Sequence, residues 1–368
     1  MPLAARRAPL LFVAMLSMAC GVWLGLARLG WNLPLPWQDQ LIAHGPLMVC
    51  GFLGTLISLE RAVALNSRWG YAAPILVGAG AVTLDLGTIG ACGPLLITAG
   101  SVVMVAILLA VSKRQASLFL TTMTIGALAW TCGNVQWLGG AAIYRVVFWW
   151  LTFLVLTVAG ERLELNRVLR PTRAVRGAFV VAMLTLLAGV VAAGWWPEAG
   201  VRVLGVGLLA MAGWLVCYDV ARRTVHQRGL TRFMAVSLLG GYLWLGVGGV
   251  IAAVTGAATP GVMYDAMLHA VFVGFVLSMV FAHAAIVFPA VLGAPFTYRP
   301  SSYLHVAVLH VSLAARVLGD LVEVLGRWRS WGGLLNAAAL ILFVVNTVRS
   351  INRPIARPIP RTAAVPRP

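Results

Sequence analysis

The segment Val262–Leu292, VMYDAMLHAVFVGFVLSMVFAHAAIVFPAVL, decides how the rest of the chain is read. At 1.5 Å per residue an α-helix needs roughly 20 apolar residues to cross a hydrocarbon core of ~30 Å, and this run supplies them. It nevertheless carries His269 and His283, fourteen residues apart. At about 100° per residue these two fall on nearly the same face, roughly 21 Å apart, one toward each side of a membrane. Imidazoles at such depth are costly, so they are expected to face the bundle interior and to bind something.

Working outward, the 368 residues are 61% hydrophobic and only 10% charged, the composition of a polytopic membrane protein. Apolar runs recur at about 9–29, 40–65, 70–89, 93–111, 118–138, 143–159, 175–195, 200–217, 232–254, 262–292, 302–325 and 331–348. The first run is too long for the core of a signal peptide and lacks a convincing cleavage site, so it reads as the first helix. The expected fold is therefore all-α, with about twelve transmembrane helices. Residues 1–350 form one bundle, and 351–368 form a disordered, basic, Pro/Arg-rich cytoplasmic tail.

The net charge of +17 invites comparison with nucleic-acid-binding proteins. Its distribution argues otherwise, because the arginines sit in short loops and at the chain ends, as orientation signals and lipid contacts do. With both termini in the cytoplasm, only Arg28, Arg145, Arg202, Arg316, Arg327 and Arg329 of the 27 basic residues fall to the outer side. This pattern predicts a multi-pass protein of a bacterial inner membrane, in contact with lipid and not with nucleic acid. The five cysteines are scattered among apolar segments without a Cys-x-x-Cys, so they give neither a disulfide framework nor a zinc site.

On that topology the second and tenth helices both enter from the outer side, which places His44 and His269 at similar depth. Helix 2 presents His44, Met48, Gly51, Thr55 and Ser58 as one stripe, and Gly51 leaves room for a flat ligand or a close helix. Facing imidazoles from two helices suit haem iron, and interhelical hydrogen bonding is the alternative for each. A second group, His283, His305 and His310, lies toward the cytoplasmic side, where copper or a second haem is one reading and an interhelical hydrogen-bond cluster the other. Arg28, Arg145 and Arg316 are candidates to meet haem propionates. Glu60 with Arg61, Glu161 with Arg162, and Arg316 with Asp320 read as ion pairs at helix ends.

Gly241-Tyr242-Leu243-Trp244, Leu268-His269-Ala270, Gly274 and Met279 resemble the late helices of NnrS-type membrane proteins. The stretch from His44 to Gly51-Phe52-Leu53 resembles that family's second helix. Pro46 stands where the family has a second histidine, and Leu59-Glu60-Arg61 occupies the place of its Pro-Asn-Trp. The resemblance implies a twelve-helix haem- and copper-containing protein linked to nitric oxide, distantly like the catalytic subunit of haem-copper oxidases. It implies b-type haem held by His44 and His269. With both axial positions filled, electron transfer with a redox partner is expected; with one displaced, nitric oxide could bind. Two other readings stand beside it: a proton-coupled transporter, and a cofactor-free assembly partner of a respiratory complex.

Overall fold

The structure is a computed structural model that describes residues 3–35, 38–87 and 90–351. Its helices are α1 (Leu3–Arg28), α2 (Gln40–Leu65), α3 (Ala72–Asp85), α4 (Cys92–Arg114), α5 (Leu118–Leu138) and α6 (Ile143–Leu165). They continue with α7 (Arg173–Ala192), α8 (Pro197–Tyr218), α9 (Gly229–Thr255), α10 (Val262–Leu292), α11 (Ser302–Leu321) and α12 (Gly326–Ser350). Among the described residues the only strand-like pairing is a bridge between Phe296 and Ile351. The protein is thus an all-α, multi-pass membrane protein. The expected tail at 352–368 lies outside the described residues.

Eleven of these helices are long and apolar enough to cross a bilayer. The exception is α3, expected at 70–89 but only 14 residues long, about 21 Å at the helical rise. A 3₁₀ turn at Arg68–Tyr71 takes up its start, and Gly87, in the left-handed region at φ 64°, follows its end.

Sequence neighbours pack as hairpins, with α3 on α4, α5 on α6, α7 on α8 and α11 on α12. The histidine-bearing α10 is the hub, touching α1, α2, α6, α9, α11 and α12. In lipid, helices gain little from burying apolar surface against one another, so close packing and internal hydrogen bonds hold such a bundle together. Trp130 stacks on Phe153 at 4.7 Å between α5 and α6, and Trp150 Nε1 donates to Asn134 Oδ1 at 2.9 Å.

Two helices depart from regular geometry. α2 widens into a π-helix over Leu47–Gly54, and α10 does so over Ala270–Leu277. Each π segment begins within three residues of a histidine, His44 and His269 respectively. Such interruptions are rare and are frequently found at functional sites.

Candidate functional site

His44 and His269 come together. Their ring centroids are 6.4 Å apart and their planes lie within 11° of parallel. A metal–imidazole bond of about 2 Å on each side, plus the half-width of each ring, sets the centroids of two opposed ligands about 6 Å apart. The hydrogen bonds fix which nitrogen is free. His44 Nδ1 lies 2.7 Å from the Gly21 carbonyl, and His269 Nδ1 lies 2.8 Å from that of Asp265. A carbonyl only accepts, so each Nδ1 carries the proton and each Nε2 keeps its lone pair. Neither Nε2 has a hydrogen-bond partner among the described residues, and both rings are largely but not fully buried. This is the arrangement by which an outer partner orients a metal-ligating histidine.

The seat of His44 is built by α1. A side chain at Gly25 would put its Cβ 2.7 Å from His44 Cε1, so the imidazole can reach the Gly21 carbonyl only because Gly25 is bare. The stripe on α2 runs along this same helix. Met48 packs where Gly21 lacks a Cβ, and Gly51 faces Ser17 of α1 and Ala81 of α3, at 2.9 and 3.1 Å from an added Cβ. The space at Gly51 is therefore filled by neighbouring helices and is no place for a flat ligand, which corrects its assignment to cofactor binding.

Beside the paired rings lies a charged network. Arg316 Nη2 donates to Asp265 Oδ2 at 2.8 Å, and Asp265 Oδ1 stands 3.4 Å from His269 Nδ1. Arg329 approaches both Asp265, at 3.7 Å, and Asp320, at 2.9 Å. The expected pair of Arg316 with Asp320 is thus replaced by two pairs that bridge α10, α11 and α12. Arg28 and Arg316 both act electrostatically on His44; Arg28 is exposed, its Nη1 3.4 Å from the Leu41 carbonyl. Arg145 is exposed and lies over the Tyr144 ring, 5.7 Å from its centroid.

The second group of histidines, His283, His305 and His310, does not converge. Among the described residues no three His, Cys, Asp or Glu side chains form a group able to hold a metal. His310 Nδ1 accepts from Trp244 Nε1 at 2.9 Å. His305 Nδ1 lies 3.2 Å from Asn346 Nδ2, whose amide also donates to the Ser301 carbonyl at 3.1 Å. With Nδ1 accepting, a neutral ring carries its proton on Nε2, and in both residues that Nε2 is buried without a partner. Neither offers a lone pair there to a metal. His283 differs, because its Nδ1 faces the Met279 carbonyl at 2.8 Å and its Nε2 lone pair is free. The expected second site thus reduces to one ligand-competent ring, within electrostatic reach of Arg162, Glu60 and Arg61.

The ion pairs of this end are also exchanged. Glu161 binds Arg61, which keeps a 3.2 Å contact to Glu60, and Arg162 is held by Asp219 through bonds of 2.8 and 3.0 Å.

A family profile described as a domain of unknown function, DUF8744, matches residues 7–352. The chain belongs to the DUF8744 family. No curated protein matches it. The matched region takes in nearly all of the DUF8744 bundle, the paired histidines included. Sequence reasoning missed Gly21, Gly25, Asp265 and Arg329. Three of these left a signal: Gly21 and Gly25 have the four-residue spacing of close helix contacts, and Asp265 is the one acid in the α10 segment, a turn before His269.

Proposed function

We propose that this DUF8744 protein holds a b-type haem between α2 and α10, with His44 and His269 as axial ligands, and serves a redox or nitric-oxide-related role in a bacterial inner membrane. The observation that carries the reading is the pair of near-parallel imidazoles 6.4 Å apart, each with Nδ1 tied to a carbonyl and Nε2 open. Bound there, the haem would supply one-electron chemistry at iron.

The chain's own part is to orient and tune. The carbonyls of Gly21 and Asp265 fix the tautomers, and the Asp265 carboxylate stands beside His269 and helps to orient that ring. Arg316 and Arg329 hold that carboxylate, and among the described residues no acid pairs with Arg28, which could meet a propionate. A second metal is not part of the proposal at His305 and His310, whose tautomers oppose it; His283 could supply a single ligand to copper or a second haem.

An optical spectrum of the purified protein tests this. Soret and α bands that sharpen on reduction, and vanish in both His44→Ala and His269→Ala, are expected. A colourless, iron-free wild type from haem-replete cells overturns the proposal. The second reading, a proton-coupled transporter, is favoured by the two π-interrupted helices carrying histidines, and that colourless result would turn attention to it.

A further inference from the structure

A cavity of about 610 Å³ opens at the other end of the bundle, where α6 and α8 end, α7 begins and the 219–226 segment starts. It is unlike an ordinary basic loop in three respects. First, its charge is uncompensated. Arg170, Arg222, Arg223 and His226 line it, and its only carboxylate, Asp219, is already engaged by Arg162 and by the Ala221 N–H at 2.7 Å. Among the described residues no acid pairs with Arg170, Arg222 or Arg223; Arg222 spends one N–H on the Cys217 carbonyl at 2.6 Å.

Second, its lining holds an unused donor. Asn166 is 1% exposed; its Oδ1 accepts from the Val220 N–H at 2.9 Å, and its Nδ2 is buried with no acceptor. An amide N–H left without an acceptor among cationic side chains is matched by an anion with several oxygens. Third, the site joins charge to apolar surface. Leu169, Val175, Trp214 and Tyr218 share the lining, and the cavity lies at the ends of membrane-spanning helices, at headgroup level. Arg170 adopts left-handed backbone, at φ 47°, a conformation unfavourable for a residue with a Cβ; it lines the cavity from there.

We propose that this cavity binds a phosphate group, presented by an anionic phospholipid headgroup or by a small phosphorylated solute. Guanidinium groups bind phosphate oxygens in pairs, and an apolar wall at headgroup level favours the lipid source. The proposal is independent of the haem reading, since none of its residues touches the paired histidines.

The full-length protein, purified in mild detergent and stripped of lipid, is titrated separately with a short-chain phosphatidylglycerol, the matching phosphatidylcholine and inorganic phosphate. Native mass spectrometry counts bound molecules. Saturable binding of about one phosphatidylglycerol, weakened roughly tenfold or more in Arg170→Gln/Arg223→Gln, supports a lipid site. Saturable inorganic phosphate binding with the same sensitivity, and no preference for phosphatidylglycerol over phosphatidylcholine, supports a solute site. Arg173→Gln/Arg176→Gln removes the same charge at the same end but outside the cavity and should leave binding unchanged. Equal weakening in both double variants, or no saturable binding of either probe, overturns the proposal. Circular dichroism confirms that each variant is folded, and Arg223→Glu gives an independent variant that should abolish binding.

Discussion

The two ends of the bundle use the same residue types to opposite purpose. At the end expected to be the outer one from the arginine pattern, two imidazoles donate from Nδ1 to carbonyls and leave Nε2 open, while the neighbouring acid is held by arginines from other helices. At the inner end His305 and His310 accept at Nδ1 from Asn346 and Trp244, and the acids are locked into pairs such as Arg162–Asp219. The difference teaches that a histidine inside a membrane protein is classified by the partner of its first nitrogen. A carbonyl partner leaves a ligand on the far side of the ring; an N–H partner leaves a donor.

The comparison can be broken most sharply at the outer end. His269→Ala should remove essentially all protein-bound haem absorbance, whereas His310→Ala should retain it; spectra of the two variants at equal protein concentration check this. Equal loss in both would erase the distinction between the ends.

Next in size is the inner lock. Asp219→Ala leaves Arg162 buried without its partner, a change that costs about 3–5 kcal/mol in such sites. Thermal unfolding in detergent should show a large fall in midpoint, and Asp219→Ala/Arg162→Met should recover much of it.

A smaller effect is expected at the seat of His44. Gly25→Ala forces a Cβ against the ring, and overpacking of this kind costs about 1–3 kcal/mol. The haem reading makes this change visible as a shifted reduction potential or reduced occupancy, measured by spectroelectrochemistry. An unchanged spectrum and potential would show that α1 does not set the ring. Of similar size is Trp244→Phe, which leaves His310 Nδ1 without its donor and should lower the thermal midpoint by the equivalent of about 1–3 kcal/mol without altering the outer site.

Much of the fold was legible because membrane crossing is a one-dimensional requirement. The spans expected at 40–65 and 118–138 coincide with α2 and α5, while α3 is shorter than its apolar run because a 3₁₀ turn and Gly87 bracket it. The paired histidines were legible as well, since two helices entering from one side put residues at equal depth. Less was legible about partners. Arg316 was read with Asp320, its neighbour one turn away, yet it binds Asp265 of α10, and Arg162 likewise turns from Glu161 to Asp219. Local spacing ranks candidates within one helix and carries no information about the acid that a distant helix delivers.

The sequence by itself determined that the chain crosses a membrane many times, that its basic residues gather at one side, and that imidazoles lie within the spans. Hydropathy and charge suffice for that, because lipid excludes polar backbone and charge wherever the segment falls. Only the tertiary structure decided the chemistry of His44 and His310, whereas His269 and His283 find their carbonyls one turn back on their own helix. The groups that set the tautomers of His44 and His310 lie 23 and 66 residues away, on helices whose rotation and depth are fixed by packing.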